Sequence, residues 1–460
     1  MRFRLNRSKT PPLNFTNSRH ANDFLKSLLL FCAFLASTAI KTHAAEPTPN
    51  QLTPEQIAEG WISLFDGETL FGWQPTSDAN WKVEDGAITV SEGEQGFLAT
   101  TAEFADYELH VEFKAPPTTN SGVFLRTPLK PSDPAKDCYE LNIAPEDNPF
   151  PTASLVGRAK VALEPETSLR RGAQPRRRRG PNLAVNPWDG QWHAFDLAVV
   201  GNRVRISLDR SLLTTFVKAN PGSVPARGHI SLQFREGPIA FRNIRLKVPG
   251  MKPMLNGNDL AGWNTDKTEA SKFEVTTENE LQVTNGRGQL ETEKSYADFI
   301  MQLDCRVDGD ALNSGVFYRC IPRDMMNGYE CQIHNAVKDN DPTKPADFGT
   351  GGIYRRVPAR KVVSKDHEWF TMTLVPTGPH VSVWVDGYQV TDWTDDRPEH
   401  DNPRNGLRLK PGTIAIQGHD PTTNLRFRNL KIAELPEETN HEDTEAQRKK
   451  PTANHANLRE

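Results

Sequence analysis

Gly328-Tyr329-Glu330-Cys331-Gln332-Ile333-His334-Asn335 alternates apolar and functional side chains with the period of two that marks a β-strand. Tyr329, Cys331 and Ile333 point one way and are apolar, while Glu330, Gln332 and His334 point the other way. A strand with one oily face and one face of convergent polar groups belongs in a sheet that covers a core on one side and lines a cleft on the other.

The same period recurs along the chain. Tyr107, Leu109, Val111 and Phe113 alternate with Glu108, His110, Glu112 and Lys114, and Val204-Ile206-Leu208 and Val381-Val383-Val385 repeat the pattern. Turn signals separate these runs at Glu84-Asp85-Gly86, Asp209-Arg210 and Asp386-Gly387. No segment between them sustains a helical apolar stripe, so the reading is all-β. The chain also repeats itself. Asn120-Ser121-Gly122-Val123-Phe124 answers Asn313-Ser314-Gly315-Val316-Phe317, Gly72-Trp73 answers Gly262-Trp263, and Phe241-Arg242-Asn243 answers Phe427-Arg428-Asn429. A duplication with so long a period is a tandem of domains and not a solenoid. The expected architecture is two tandem jelly-roll β-sandwiches, residues 61–250 and 251–435, after a lead-in over 46–60 that ends in a short helix.

The ends read differently. Arg2, Arg4, Arg7, Lys9, Arg19 and Lys26 precede the apolar run Leu28 to Ile40, and Thr42-His43-Ala44-Ala45 supplies small residues for cleavage. This is the pattern of a secretory signal over 1–45. It predicts a periplasmic or secreted protein with no membrane span after cleavage. Residues 436–460 are charged and lack aromatics, the composition of a disordered tail. The formal net charge of -4 over 460 residues gives no reason to expect nucleic acid. Arg170-Arg171 and Arg176 to Arg179 form one basic loop, read as a solvated segment with an anionic surface or polysaccharide as the alternative. Cys138, Cys305, Cys320 and Cys331 remain after the signal. Their even number permits disulfides in an exported protein, but Cys305 and Cys331 align with Phe113 and Leu141 of the first repeat, which favours buried thiols.

Alternation assigns a functional face to the second domain. If the strands around Asn313 to Cys320, Gly328 to Asn335 and Thr413 to His419 are neighbours, one surface gathers Arg319, Glu330, Gln332, His334, Gln417 and His419. Asn313 and Asp420 then stand at its rim. The first repeat supplies a control: Arg126, Glu140, Asn142 and Gln233 occupy matching places, but Ala144 and Arg235 replace the two histidines. Histidine is the usual base near neutral pH, so chemistry is expected in the second domain and binding or another activity in the first. Two histidines with Glu330 or Asp420 could instead ligate a metal, though no tight ligand spacing occurs. No P-loop, dinucleotide fingerprint or G-x-S-x-G in a suitable context is present. Among the tryptophans, Trp384 is the candidate sugar-stacking residue, because it faces away from Val383 and Val385.

These motifs resemble the 3-keto-disaccharide hydrolase domain family. The resemblance rests on Leu64-Phe65-Asp66-Gly67, both Gly-Trp pairs, both Asn-Ser-Gly-Val-Phe segments, Gly328 to Ile333, Gly349-Thr350-Gly351-Gly352-Ile353-Tyr354 and Phe427-Arg428-Asn429-Leu430. It implies a fold similar to concanavalin A-like lectins and glucanases, and a carbohydrate substrate oxidised at C3, with a sugar 3-oxidoreductase acting upstream. The first domain departs from the pattern at Asn142 and Ala144 and lacks a recognisable Gly-Gly-Ile-Tyr segment. The resemblance further implies His334 or His419 as base, His334 foremost, with Glu330 as acid or orienting group. Arg319 and Gln417 would stabilise an enolate oxygen, a role a divalent metal ion could share, and Tyr354 would donate a proton to the leaving group. A non-catalytic glycan-binding tandem module is the alternative.

Overall fold

The structure, a computed structural model, describes residues 48–145, 147–161, 186–217, 225–266 and 270–437. The expected signal segment, the arginine-rich loop and nearly all of the tail lie outside the described residues. The lead-in does end in a helix, Pro54–Glu59. Thr53 and Gln56 cap it reciprocally and Gly60 closes it in the left-handed region, the arrangement of a capping box.

Apart from one short helix, Pro134–Asp137, the regular elements described after it are antiparallel strands. Among the described residues they form two eight-stranded and two five-stranded sheets, one of each per repeat. The two five-stranded sheets have identical topology. In the first sandwich the order is Trp73–Pro75, Gly96–Thr100, His229–Phe234, Ser121–Thr127, Tyr139–Ile143. In the second it is Trp263–Asn264, Gly288–Thr292, Thr413–Gly418, Ser314–Cys320, Tyr329–Ile333. Each sheet presses its apolar face on its eight-stranded partner, with Tyr329, Cys331, Ile333, Val316 and Ile416 inside the second core. The all-β reading and the two sandwiches are therefore as expected from alternation. Cys138, Cys305, Cys320 and Cys331 are all buried, and burial pushes their thiols up.

The repeated motifs are structural devices. The Trp73 and Trp263 indoles donate to the carbonyls of Leu64 and Met254, each nine residues upstream, and so close the first loop of each sandwich. In each Phe-Arg-Asn motif the arginine stacks on a tryptophan, Arg242 on Trp192 and Arg428 on Trp369. The following Asn243 and Asn429 take positive φ at a register shift, the signature of a β-bulge.

Trp384 is not a sugar platform. Alternation places its ring away from Val383 and Val385 as expected, but that face meets the first sandwich and not solvent. Trp384 is 1% exposed, donates from Nε1 to the Ser63 carbonyl at 2.8 Å and lies 6.5 Å from the Phe104 ring. It joins the first sandwich's hydrophobic core. Trp384→Ala should cost about 3–5 kcal/mol of stability, read as a lower midpoint in denaturant unfolding.

Candidate functional site

The outward face of the second five-stranded sheet can be read row by row from the strand register. One row holds Glu291, Ala415, Phe317 and Glu330, paired in that order across four strands. The next holds Gln289 opposite Gln417 and Gly315 opposite Gln332. One step past the paired residues, the same register brings His334, Asn313 and His419 to a third row. The structure thus gathers Glu330, Gln332, His334, Asn313, Gln417 and His419 on one face, with Asp420 hydrogen-bonded to His419.

Arg319 leaves this face. A register shift falls between Phe317 and Cys320, Arg319 adopts φ 49°, and the bulge puts the alternation out of phase. Arg319 is 2% exposed, and its guanidinium pairs with Asp298 at 2.7 Å and donates to the carbonyls of Ala297, Gly378 and Arg408. Arg126 behaves identically in the first sandwich, with φ 50°, an ion pair to Asp106 at 2.7 Å and donation to the Ala105 and Gly201 carbonyls. Both arginines fasten strand ends and contact no cleft. Arg319→Ala removes one of the two arginines that hold Asp298, Arg227 remaining at 2.6 Å, and takes the donor from the Ala297, Gly378 and Arg408 carbonyls. It should cost about 1–3 kcal/mol, seen as a lower unfolding midpoint with an unchanged KM.

A different cation takes the place expected of Arg319. Arg404, on the loop between Tyr388–Thr394 and Thr413–Gly418, donates to Glu330 Oε2 at 3.3 Å and sits 5.5 Å above the Phe317 ring. Two further bonds to the Met326 carbonyl, 3.1 and 2.9 Å, hold it there. Glu330 is 6% exposed. Burial pushes its carboxyl up to about 7, against the opposing pull of Arg404 and His419. Its side chain leans over Gly315, where an added Cβ would stand 2.9 Å from Glu330 Cγ. Only glycine leaves room for that carboxyl.

Asp347 organises the amides. Its Oδ2 accepts from Asn313 Nδ2 at 2.6 Å and from Gln332 Nε2 at 3.0 Å. Those bonds fix which end of each amide is which, and they leave Asn313 Oδ1 and Gln332 Oε1 buried without partners. Gln417 Oε1 is a third such oxygen, beside a 3.5 Å contact from Nε2 to Met326 Sδ. Each unpaired buried acceptor costs about 1–3 kcal/mol, and a hydroxyl donor satisfies it. Three on one face suit a polyol.

The histidines are set by their Nδ1 partners. His419 Nδ1 lies 2.9 Å from Asp420 Oδ2, so its neutral ring donates Nδ1–H to the carboxylate and carries its basic lone pair on Nε2. The Thr422 hydroxyl and His419 hold the Asp420 carboxyl below the usual range. His334 Nδ1 faces the Leu312 carbonyl at 3.3 Å, a longer contact to a neutral group. Tyr354 lies on the segment Thr350–Tyr354, which pairs along the free edge of Tyr329–Ile333 through Gln332 N to Gly352 O and Tyr354 N to Glu330 O. Its ring meets Phe348 edge-on at 5.3 Å and lies 6.0 Å from Arg404. Among the described residues no three His, Cys, Asp or Glu side chains are grouped to hold a metal ion, so the ligand set weighed from His334, His419, Glu330 and Asp420 does not form.

The first sandwich carries the same grid with other side chains. Its rows are Ala99, Ser231, Phe124, Glu140 and then Phe97 opposite Gln233 and Gly122 opposite Asn142. The edge segment that seemed lost is present: Asn142 N donates to Ser154 O and Val156 N to Glu140 O. Ala153 takes φ 71° where Gly351 takes 89°. What the first sandwich lacks is Tyr354, replaced by Val156, together with both histidines.

Sequence reasoning missed Glu291, Gln289, Arg404 and Asp347. The first two alternate with Leu290 and were legible by period. Glu291 accepts from Arg323 N at 3.0 Å and from Thr413 Oγ1 at 2.6 Å, which makes it an anchor for the covering loop.

Comparison with known proteins gives one family. The profile of the 3-keto-alpha-glucoside-1,2-lyase-like domain matches twice, over residues 60–247 and 250–433. A relative from Bacteroides thetaiotaomicron named 3-keto-disaccharide hydrolase is 26% identical over 250 residues, covering 45% of this chain and 83% of that protein. Two Parabacteroides distasonis crystal structures, provisionally named glycosyl hydrolases, align at 18% and 27% identity with TM-scores of 0.36 and 0.33. The alignments cover 44% and 40% of this chain and all of each of those chains.

Proposed function

The chain belongs to the 3-keto-alpha-glucoside-1,2-lyase-like domain family in two tandem copies, and from that membership we propose that it cleaves glycosides oxidised to the ketone at C3, with the chemistry in the second sandwich. The observation that carries this reading is Glu330: a buried carboxyl with its pKa raised to about 7, in contact with Arg404, on the face that alone bears both histidines.

The ketone acidifies the C2 hydrogen, so no strong nucleophile is required. His419 Nε2 takes the C2 proton, and Asp420 stabilises the imidazolium that forms. The electron pair left on C2 delocalises into the C3 carbonyl, and Arg404 stabilises the enolate oxygen. Return of that pair forms the C1–C2 double bond and expels the C1 oxygen, which takes its proton from the Glu330 carboxyl. Water then adds at C1 and a proton returns to C2, so that elimination and hydration sum to hydrolysis. Gln332, Gln417 and Asn313 accept hydrogen bonds from sugar hydroxyls, and Met326 moves off Gln417 as the ring enters. His334 orients the far end of the sugar, and Tyr354 walls the site beside Glu330. The pairing with Asp420 is what turns the choice of base from His334 to His419.

A single carboxyl on the reacting row's accessible end also argues against double displacement, which needs two carboxylates flanking the bond. The reading expects a sugar 3-oxidoreductase to supply the ketone, and the signal pattern over 1–45 supports an encounter outside the cytoplasm. The test is release of aglycone from a 3-keto-glucoside and from its unoxidised parent. Turnover of the ketone alone supports the reading. Binding without turnover of either would leave a glycan-binding module instead, and unchanged turnover in both His334→Ala and His419→Ala would overturn the histidine-base mechanism.

A further inference from the structure

Two polar atoms in the first sandwich have no part in that chemistry and no partner of their own. Gln233 Oε1 and Ser231 Oγ are both buried and unpaired, in residues 7% and 0% exposed. They occupy adjacent rows of the outward face, Ser231 between Ala99 and Phe124 and Gln233 beside Phe97. The second sandwich has Ala415 in place of Ser231 and Gln289 in place of Phe97. The exchange therefore added a hydroxyl and an aromatic ring to the first face while removing a carboxylate, since Ala99 stands where the second has Glu291. Phe97 and Phe124 meet edge-on at 4.7 Å, and Phe97 is half-buried. Phe124 is fully buried, so the half-buried Phe97 ring packed on it is the apolar surface that a sugar ring meets, with its hydroxyls reaching the flanking acceptors. No base accompanies it, because Ala144 and Arg235 stand in the histidine positions. Burial pushes the Glu140 carboxyl up to about 7, which disfavours an anionic ligand further as that group ionises.

We propose that this face of the first sandwich is a non-cleaving binding site for a neutral hexopyranoside, whose hydroxyls donate to Gln233 Oε1 and Ser231 Oγ beside the Phe97 ring. The site does not depend on the cleavage assigned to the second sandwich. The test uses the full chain carrying His419→Ala and Gln417→Leu, which silences the second face, and the unoxidised probe methyl α-D-glucopyranoside, with binding followed by saturation-transfer NMR. Binding should persist in that background and weaken about tenfold or more on adding Gln233→Leu. The unfolding midpoint should hold or rise, because an unpaired buried oxygen has been removed. Ser231→Ala, which copies the second sandwich's own Ala415, should weaken binding without loss of stability. Absence of binding in the background chain, indifference to Gln233→Leu, or a midpoint lowered by several degrees would each overturn the proposal. Because the probe is unoxidised and no turnover is read, failure here leaves the cleavage reading untouched, and failure of cleavage leaves this site standing.

Discussion

His419→Ala should lower kcat on a 3-keto-glucoside by ~10²–10⁴-fold, the range a positioned general base supplies, with KM changed little. The physical case is the ordered pair of His419 and Asp420, 2.9 Å apart. A base whose Nδ1–H is fixed by a carboxylate presents one nitrogen in one orientation and forms a stabilised cation. Asp420→Asn keeps a hydrogen-bonding partner but removes the charge, and should give a smaller loss, about tenfold. Added imidazole should restore part of the His419→Ala activity and none of that lost in Glu330→Gln. Steady-state kinetics with and without imidazole check all three, and an His419→Ala enzyme of ordinary kcat would remove His419 from the mechanism.

Glu330→Gln should be the other large effect, again ~10²–10⁴-fold in kcat, with a gain in stability at alkaline pH. The carboxyl sits at about 7 in the folded chain, against about 4.3 when exposed. The folded state therefore favours the protonated form. Its contribution to stability is complete below about pH 4 and is lost as pH rises through 7. The difference amounts to roughly 3–4 kcal/mol, which glutamine should recover at pH 8 and not at pH 4. The same sign governs activity: an acid with this pKa donates below pH 7, so kcat of the unsubstituted enzyme should fall above it. Unfolding curves at the two pH values, beside a pH–rate profile, read both consequences. A variant that is both stable and active at pH 8 would show that Glu330 is not the acid.

The strand faces were legible because period two survives in Tyr329–Ile333 and in Thr413–Gly418, where every side chain falls on its expected side. Arg319 and Arg126 were misplaced by one physical event, a bulge with a left-handed residue, which shifts the phase without leaving a mark such as glycine. Trp384 was placed on the correct side of its strand. Alternation says which residues share a face and nothing about what covers it, and here the first sandwich covers it. Arg404 and Asp347 lie in irregular loops that carry no period, so only the folded chain brings them to Glu330 and Gln332. The edge segment of the first sandwich escaped notice because Ala153, Ser154, Leu155 and Val156 preserve the backbone path of Gly351 to Tyr354 while keeping none of its residues. The duplication, in contrast, was visible from end to end, since the Gly-Trp, Asn-Ser-Gly-Val-Phe and Phe-Arg-Asn repeats hold loops, strand junctions and bulges that both sandwiches need.

The central claim is that the second sandwich opens the glycosidic bond by removing the proton at C2. The most direct measurement is NMR of a 3-keto-glucoside turned over in D2O, over the first few turnovers. The account predicts that the released 3-keto sugar carries deuterium at C2, that Glu140→Gln leaves this unchanged, and that His419→Ala and Glu330→Gln abolish release. Release with the C2 hydrogen retained, or release that survives in the second-sandwich variants and disappears with Glu140→Gln, would contradict it.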